Sequence, residues 1–264
     1  MPAGIPKGNE PMRFTSETTS NGVSERLFTV DDIPGVLWSP ADASGGRPLV
    51  LLGHGGGQHK KAQGLVARAH RYVTVRGFAV AAIDAPGHGD RPRTEQDERF
   101  AAGIRERMAA GEPISAEIAR HNTECAARAV PEWQATLDAL QELDCIGAGG
   151  PVGFWGVSLG SAIGVPFAAA EPRITAAVFG LAAHETLVEA AARVTVPVEF
   201  LLQWDDELVP RDSGLALFDA FASREKTLHA NLGRHAGVPV FERESSERFF
   251  TRHLVEGGAS VTAA

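Results

Sequence analysis

Three short segments of this chain hold the residue types that nucleophilic acyl transfer requires. Gly156-Val157-Ser158-Leu159-Gly160 closes an apolar run, Val152 to Val157, and opens a helical pattern. A GxSxG segment between strand and helix places its serine on a turn so tight that side chains two residues before and after it would collide with backbone. The competing reading is a strand-to-helix turn whose serine only caps the helix. A serine hydroxyl is a weak nucleophile until a base takes its proton and an acid orients that base. Candidates follow in the required order. Trp204-Asp205-Asp206-Glu207-Leu208-Val209-Pro210 offers three carboxylates, and Asn231-Leu232-Gly233-Arg234-His235-Ala236-Gly237 offers a loop histidine. His229, inside the preceding strand pattern, reads as a structural or surface histidine. A fourth segment, His54-Gly55-Gly56-Gly57, directly follows an apolar run. Glycines there let backbone N–H groups approach a developing oxyanion, with the amides of Gly56 and Leu159 as donors and Gly57 as an adjoining candidate. A phosphate-binding loop is the rival reading, but no GKS or GKT follows.

The elements that must position these residues alternate along the chain. Short β-branched segments (Val23 to Val30, Gly35 to Trp38) precede Pro48 to Gly53, a run apolar enough to be buried on both faces of a sheet. Leu65, Val66, Ala69, Tyr72 and Val73 recur at helical spacing until Gly77, and Phe78 to Ile83 reads as the next strand. The alternation resumes with strand Val152 to Val157, helix Leu159 to Ala170, strand Ile174 to Gly180, helix His184 to Arg193 and strand Val196 to Gln203. A helix over Asp212 to Phe221, a strand over Lys226 to Ala230 and an amphipathic helix over Val240 to Leu254 complete it. Strands alternating with helices predict a parallel sheet, and the candidate loops then fall at the carboxyl ends of its strands, where open α/β sheets hold their sites. Between Arg91 and Val130 lies an additional helical stretch that Pro113 divides, longer than a crossover needs. Phe100, Ile104 and Met108 lie on one face of it, either lining a pocket or packing on the domain. Arg91 and Arg93 either meet an acidic substrate group or are solvated.

The 264 residues are 44% hydrophobic and 22% charged, the composition of a globular protein and not of a disordered or fibrous one. The net charge of -8, with no basic run longer than Lys60-Lys61, argues against a nucleic-acid partner. No apolar run approaches the roughly 20 residues that cross a bilayer, and the first residues lack the apolar segment of a secretory signal, so a cytoplasmic protein without a membrane partner is expected. Cys125 and Cys145 match neither a disulfide framework nor a metal-ligand spacing and read as reduced, buried side chains. No metal and no cofactor are expected. Residues 1–22 read as an N-terminal extension and residues 23–264 as one domain.

With these segments in place, the chain resembles the α/β-hydrolase family, in its serine esterase and dienelactone-hydrolase-like branch, from about residue 23 to 255. The resemblance implies an α/β-hydrolase fold: a mostly parallel central sheet of about eight strands, helices on both faces, and a small helical cap insertion over about residues 91–130. The family's DxxVP pattern selects Asp206, before Val209-Pro210, over its neighbours Asp205 and Glu207, with Glu185 as a distant alternative. The catalytic set carried over is Ser158 as nucleophile, His235 as base and Asp206 as acid, with Gly56 and Leu159 forming the oxyanion hole. Asp84-Ala85-Pro86-Gly87-His88-Gly89-Asp90 resembles the family's DxPGHG turn, a structural bend beside the pocket. The implied partner is a small to medium ester substrate, and the protein is expected to be a monomer or homodimer. The same residues serve thioester, lactone, amide and C–C bond hydrolysis in the family, and a non-catalytic receptor is the opposing class. Serine at 158, where a dienelactone hydrolase proper carries cysteine, weakens that reading. Dehalogenases and epoxide hydrolases need aspartate there.

Overall fold

The computed structural model describes residues 12–256. Its strands form one nine-stranded sheet in the order β1-β2-β3-β5-β4-β6-β7-β8-β9. β1 (Arg13–Ser20), β2 (Val23–Val30) and β3 (Ile33–Pro40) are antiparallel, and β3 joins β5 (Ala79–Ile83) antiparallel. From β5 onward, β4 (Leu49–Gly53), β6 (Val152–Gly156), β7 (Ile174–Gly180), β8 (Val198–Gln203) and β9 (Lys226–Asn231) pair in parallel. The mostly parallel α/β-hydrolase sheet expected from the sequence is thus present, with one strand more than expected.

The additional strand is β1, which corrects the reading of residues 1–22 as an extension where they are described; residues 1–11 lie outside the described residues. All eight of its side chains are exposed, so no hydrophobic alternation marks it. The signal that does mark it is Asn21-Gly22, a hairpin turn with φ of +50° and +76° at its two residues.

Period-two alternation divides the sheet into two faces. Leu49, Leu51, Phe154 and Phe179 point to one core, shared with α3 (Ser115–Gln141), α4 (Leu159–Ala170), α5 (Glu185–Ala191) and α6 (Arg211–Ala220). Val50, Leu52, Trp155 and Val178 point to the other, covered by α1 (Gln63–Arg76) and α7 (Glu242–Thr251), after which a wide turn spans Arg252–Glu256. His229 is structural: its Nδ1 lies 2.8 Å from Glu242 on α7, which also accepts from Asn231. The cap stretch is α2 (Glu95–Ala110) followed by the amino-terminal half of α3, with Pro113 in the connection. α3 continues to Gln141, beyond the expected end of the insertion at 130. Cys125 is buried as expected, whereas Cys145 is only half-buried and accepts a contact from Arg26.

Two buried polar contacts hold the loops above the sheet. The His54 ring bridges two of them: its Nε2 accepts from the Ala85 amide at 3.0 Å, so its Nδ1–H donates to the Gly55 carbonyl at 2.9 Å. Burial pushes the His54 pKa down to about 4. Asp84, fully buried, accepts from the Lys60 amide (2.7 Å), the Lys60 ammonium (2.6 Å) and the Asp90 amide (3.0 Å). Burial works to raise the Asp84 pKa, but these donors together hold it below the usual carboxylate range.

Three tests follow from this packing. Phe154 is fully buried among Trp133, Phe167 and Phe179, so Phe154→Ala lowers stability by about 3–5 kcal/mol, read from the urea midpoint. Lys60→Met leaves the Asp84 charge unpaired in the interior and costs about 3–5 kcal/mol in the same measurement. His54, depressed from 6.5 to about 4, gives stability that is complete above its unfolded pKa and is lost as the pH falls through the folded one. The loss approaches about 3 kcal/mol, so thermal melts between pH 7 and pH 4 fall more steeply for wild type than for His54→Gln.

Candidate active site

Ser158 joins β6 to α4 with φ +57° and ψ −122°, a conformation that costs a side-chain-bearing residue about 1–3 kcal/mol. Close packing enforces it. A Cβ on Gly160 would lie 2.4 Å from the Gly53 carbonyl oxygen, and one on Gly156 would lie 2.6 Å from the Gly160 carbonyl carbon. Beneath the turn, the buried Ser161 hydroxyl lies 2.7 Å from the Gly156 carbonyl and 2.8 Å from that of Gly180, and it accepts from the Gly180 amide. The Ser158 amide donates to the Gly180 carbonyl at 2.9 Å. The turn is therefore fastened to both neighbouring strands, β4 and β7.

The three residues selected from the sequence meet above this turn. The Ser158 hydroxyl lies 3.0 Å from His235 Nε2, and His235 Nδ1 lies 2.8 Å from Asp206 Oδ2. The other Asp206 oxygen accepts from the Leu208 amide (2.8 Å) and the Val209 amide (3.0 Å), which fix the carboxylate plane. Its side chain is 3% exposed and that of His235 15%, so their interaction is little screened by water. The competing carboxylates have other partners. Glu207 accepts from the His235 amide at 3.0 Å and pairs with Arg234, and Asp205 accepts from the Gly233 amide. Both therefore shape the backbone of the histidine loop, while Glu185 is exposed on the first turn of α5.

Gly56 and Leu159 both line the cavity beside Ser158. Among the described residues, neither backbone amide donates to a backbone carbonyl. The cavity measures about 440 Å³. Its outer wall is the cap: Phe100, Ile104 and Met108 from α2 face it, with Ile118 of α3. Phe100 stacks on His121 at 3.7 Å between ring centroids. The Phe100 face thus lines the pocket, one of the two roles left open by the sequence. Arg91 is occupied by a two-pronged pair with Glu132 at 2.5 and 2.8 Å, whereas Arg93 is exposed at the cavity rim. The sequence reading did not anticipate Lys60, whose burial follows from a partner 24 residues away, nor Arg68, on the far side of Ser158. A basic residue at a helix position flanked by Leu65, Ala69 and Tyr72 was the available signal for the latter.

Neither a family model nor a curated protein matches the chain in sequence. Solved structures do. A cold-adapted esterase from an Arctic intertidal metagenomic library, in a complex with polyethylene glycol, is 36% identical, with 90% of this chain and 97% of that one aligned at a TM-score of 0.71. Acetyl xylan esterase 1 from a Thermoanaerobacterium species aligns over 90% of this chain and 87% of its own, at 15% identity and a TM-score of 0.66. The 2,6-dihydroxy-pseudo-oxynicotine hydrolase aligns over 88% and 68%, at 19% identity and a TM-score of 0.60. The latter two share the fold. The identity and coverage of the first, joined to the sheet order and the serine turn, place the chain in a family: it belongs to the α/β hydrolases, on their esterase branch.

Proposed function

We propose that this protein hydrolyses small to medium carboxylic esters through an acyl-enzyme on Ser158. The observation that carries the reading is His235 standing between Ser158 and Asp206 at 3.0 and 2.8 Å, within reach of direct proton transfer. His235 Nε2 takes the Ser158 proton as the oxygen attacks the acyl carbon. Asp206 holds the Nδ1–H tautomer and stabilises the imidazolium that forms. The Gly56 and Leu159 amides donate to the oxyanion, whose charge in a water-poor site makes them worth more than in bulk solvent. The imidazolium then gives its proton to the departing alcohol, and the neutral ring activates the water that releases the acid.

The cap-walled cavity supports the size range. At about 440 Å³ it lies toward the small end of ligand pockets, and Phe100, Ile104, Met108 and Ile118 give it an apolar wall suited to a hydrocarbon arm. Long chains would have to pass the cap. Among the described residues no helix is long and apolar enough to cross a membrane, which fits a substrate met in water.

Hydrolysis of p-nitrophenyl esters from C2 to C12 tests the reading. Wild type turns over the short and medium members with activity falling toward C12. Ser158→Ala removes the activity by roughly 10⁴-fold or more, and Asp206→Asn lowers kcat by a comparable factor. A fluorophosphonate labels wild type and not Ser158→Ala. A folded wild type that neither labels nor turns over any ester refutes the proposal.

A further inference from the structure

Ser158 has a second chamber at its back, and its charge differs from that of the first. A cavity of about 300 Å³ opens on the side of the serine away from the cap and shares Gly56, Ser158, Leu181 and His235 with the larger one. Two arginines line it, Arg68 of α1 and Arg243 of α7, and no Asp or Glu does. The larger cavity, by contrast, sets Asp97 against Arg93.

Arg68 is 5% exposed. Burying a guanidinium is costly unless a carboxylate or strong hydrogen bonds compensate it. Here its Nη1 donates to two neutral hydroxyl oxygens, Ser246 at 2.6 Å and Tyr72 at 3.1 Å, and its plane lies over the Trp155 ring at 3.9 Å. Among the described residues neither Arg68 nor Arg243 forms an ion pair. The acid nearest to Arg68 in effect is Glu199, which is engaged by Ser245 and faces His229 at 3.8 Å. Burial raises the Glu199 pKa, which limits its value as a counter-ion. The ring stacking and the two hydroxyls orient the guanidinium without neutralising it. An oriented, uncompensated arginine at the wall of a chamber that contains the nucleophile is a receptor for an anion, and the planar fork of arginine matches a carboxylate.

We infer that the second chamber binds a carboxylate on one arm of the ester, through Arg68 and Arg243, while the other arm lies in the apolar cavity under the cap. The substrates are then esters carrying a free acid: half-esters of dicarboxylic acids, or esters of hydroxy acids. This rests on the esterase reading above and narrows its substrate class.

Two pairs of near-isosteric esters test it. Mono-p-nitrophenyl glutarate against p-nitrophenyl pentanoate puts the acid on the acyl arm, and 4-acetoxybutanoate against butyl acetate, followed by titration of released acid, puts it on the alcohol arm. In at least one pair, wild type shows kcat/KM about tenfold higher for the charged member, and both Arg68→Gln and Arg243→Gln lower that ratio about tenfold. Arg243, only half-buried, gives the deciding variant if Arg68→Gln does not fold. Turnover of the neutral esters with no preference for the charged member in either pair overturns the inference and leaves the esterase reading intact, as does a preference that survives in Arg243→Gln. Failure of folded wild type to cleave any of the four esters removes the esterase reading, and this inference with it.

Discussion

The approach of Gly160 to the Gly53 carbonyl, closer than any side chain permits, governs the geometry of the whole catalytic end. Because α4 begins in contact with β4, the chain has only Val157 and Ser158 in which to turn from β6 into the helix, and Ser158 takes the positive φ that this requires. The same contact brings the start of α4, with the Leu159 amide, beside the loop that follows β4 and carries Gly56. The proposed nucleophile and both proposed oxyanion donors are therefore placed by one steric condition. What remains is supplied from the opposite side of the sheet order, where the loops after β8 and β9 bring Asp206 and His235 over the turn. Their backbones are tied together by Glu207 and Asp205, so the acid-rich run does more than supply the proposed acid.

Much of this was legible in the sequence because the residues that meet the constraint carry local patterns, even though the Gly53–Gly160 contact itself is not local. Gly156, Ser158 and Gly160 announce their turn by spacing alone, and the parallel strands are apolar on both faces, so Leu49–Gly53 and Val152–Gly156 stand out from their surroundings. β1 was missed for the opposite reason: with every side chain in solvent, its existence depends on backbone pairing to β2, which leaves no hydrophobic pattern and only Asn21-Gly22 as a sign. The choice of Asp206 among three adjacent acids required the family resemblance, since all three are carboxylates and only the turn of the loop decides which of them meets His235. Lys60 was illegible as a buried residue because Asp84 is brought to it by tertiary structure, whereas Arg68 carries one sign, its place among Leu65, Ala69 and Tyr72, but not its hydroxyl partner Ser246.

The two buried cations show how differently one fold can treat a charge. Lys60 sits against Asp84, with Asp90 as a further partner, and the result is a rigid link between the loop after β4 and that after β5. Arg68 is surrounded by an indole and two hydroxyls, so its orientation is fixed while it lines the second chamber with no carboxylate partner among the described residues. The first arrangement uses charge to hold backbone, and the second holds a charge in readiness.

α3 is a single rod of 27 residues, about 40 Å from end to end, and its two halves face different surroundings. Ile118 borders the substrate cavity, while Cys125, Ala129, Trp133, Leu137 and Leu140 belong to the buried layer behind the sheet, and Pro131 interrupts the hydrogen-bond ladder within that buried stretch. The roof of the active site is thus one end of a rod whose other end is clamped in the core, and Ser115 and Thr123 tie it to Leu208 and Thr186. A lid hung on flexible hinges would open without disturbing the domain beneath it, but this one shares its helix with the core. Pocket shape and core packing therefore depend on one helix, whose interior proline lies inside the clamped part.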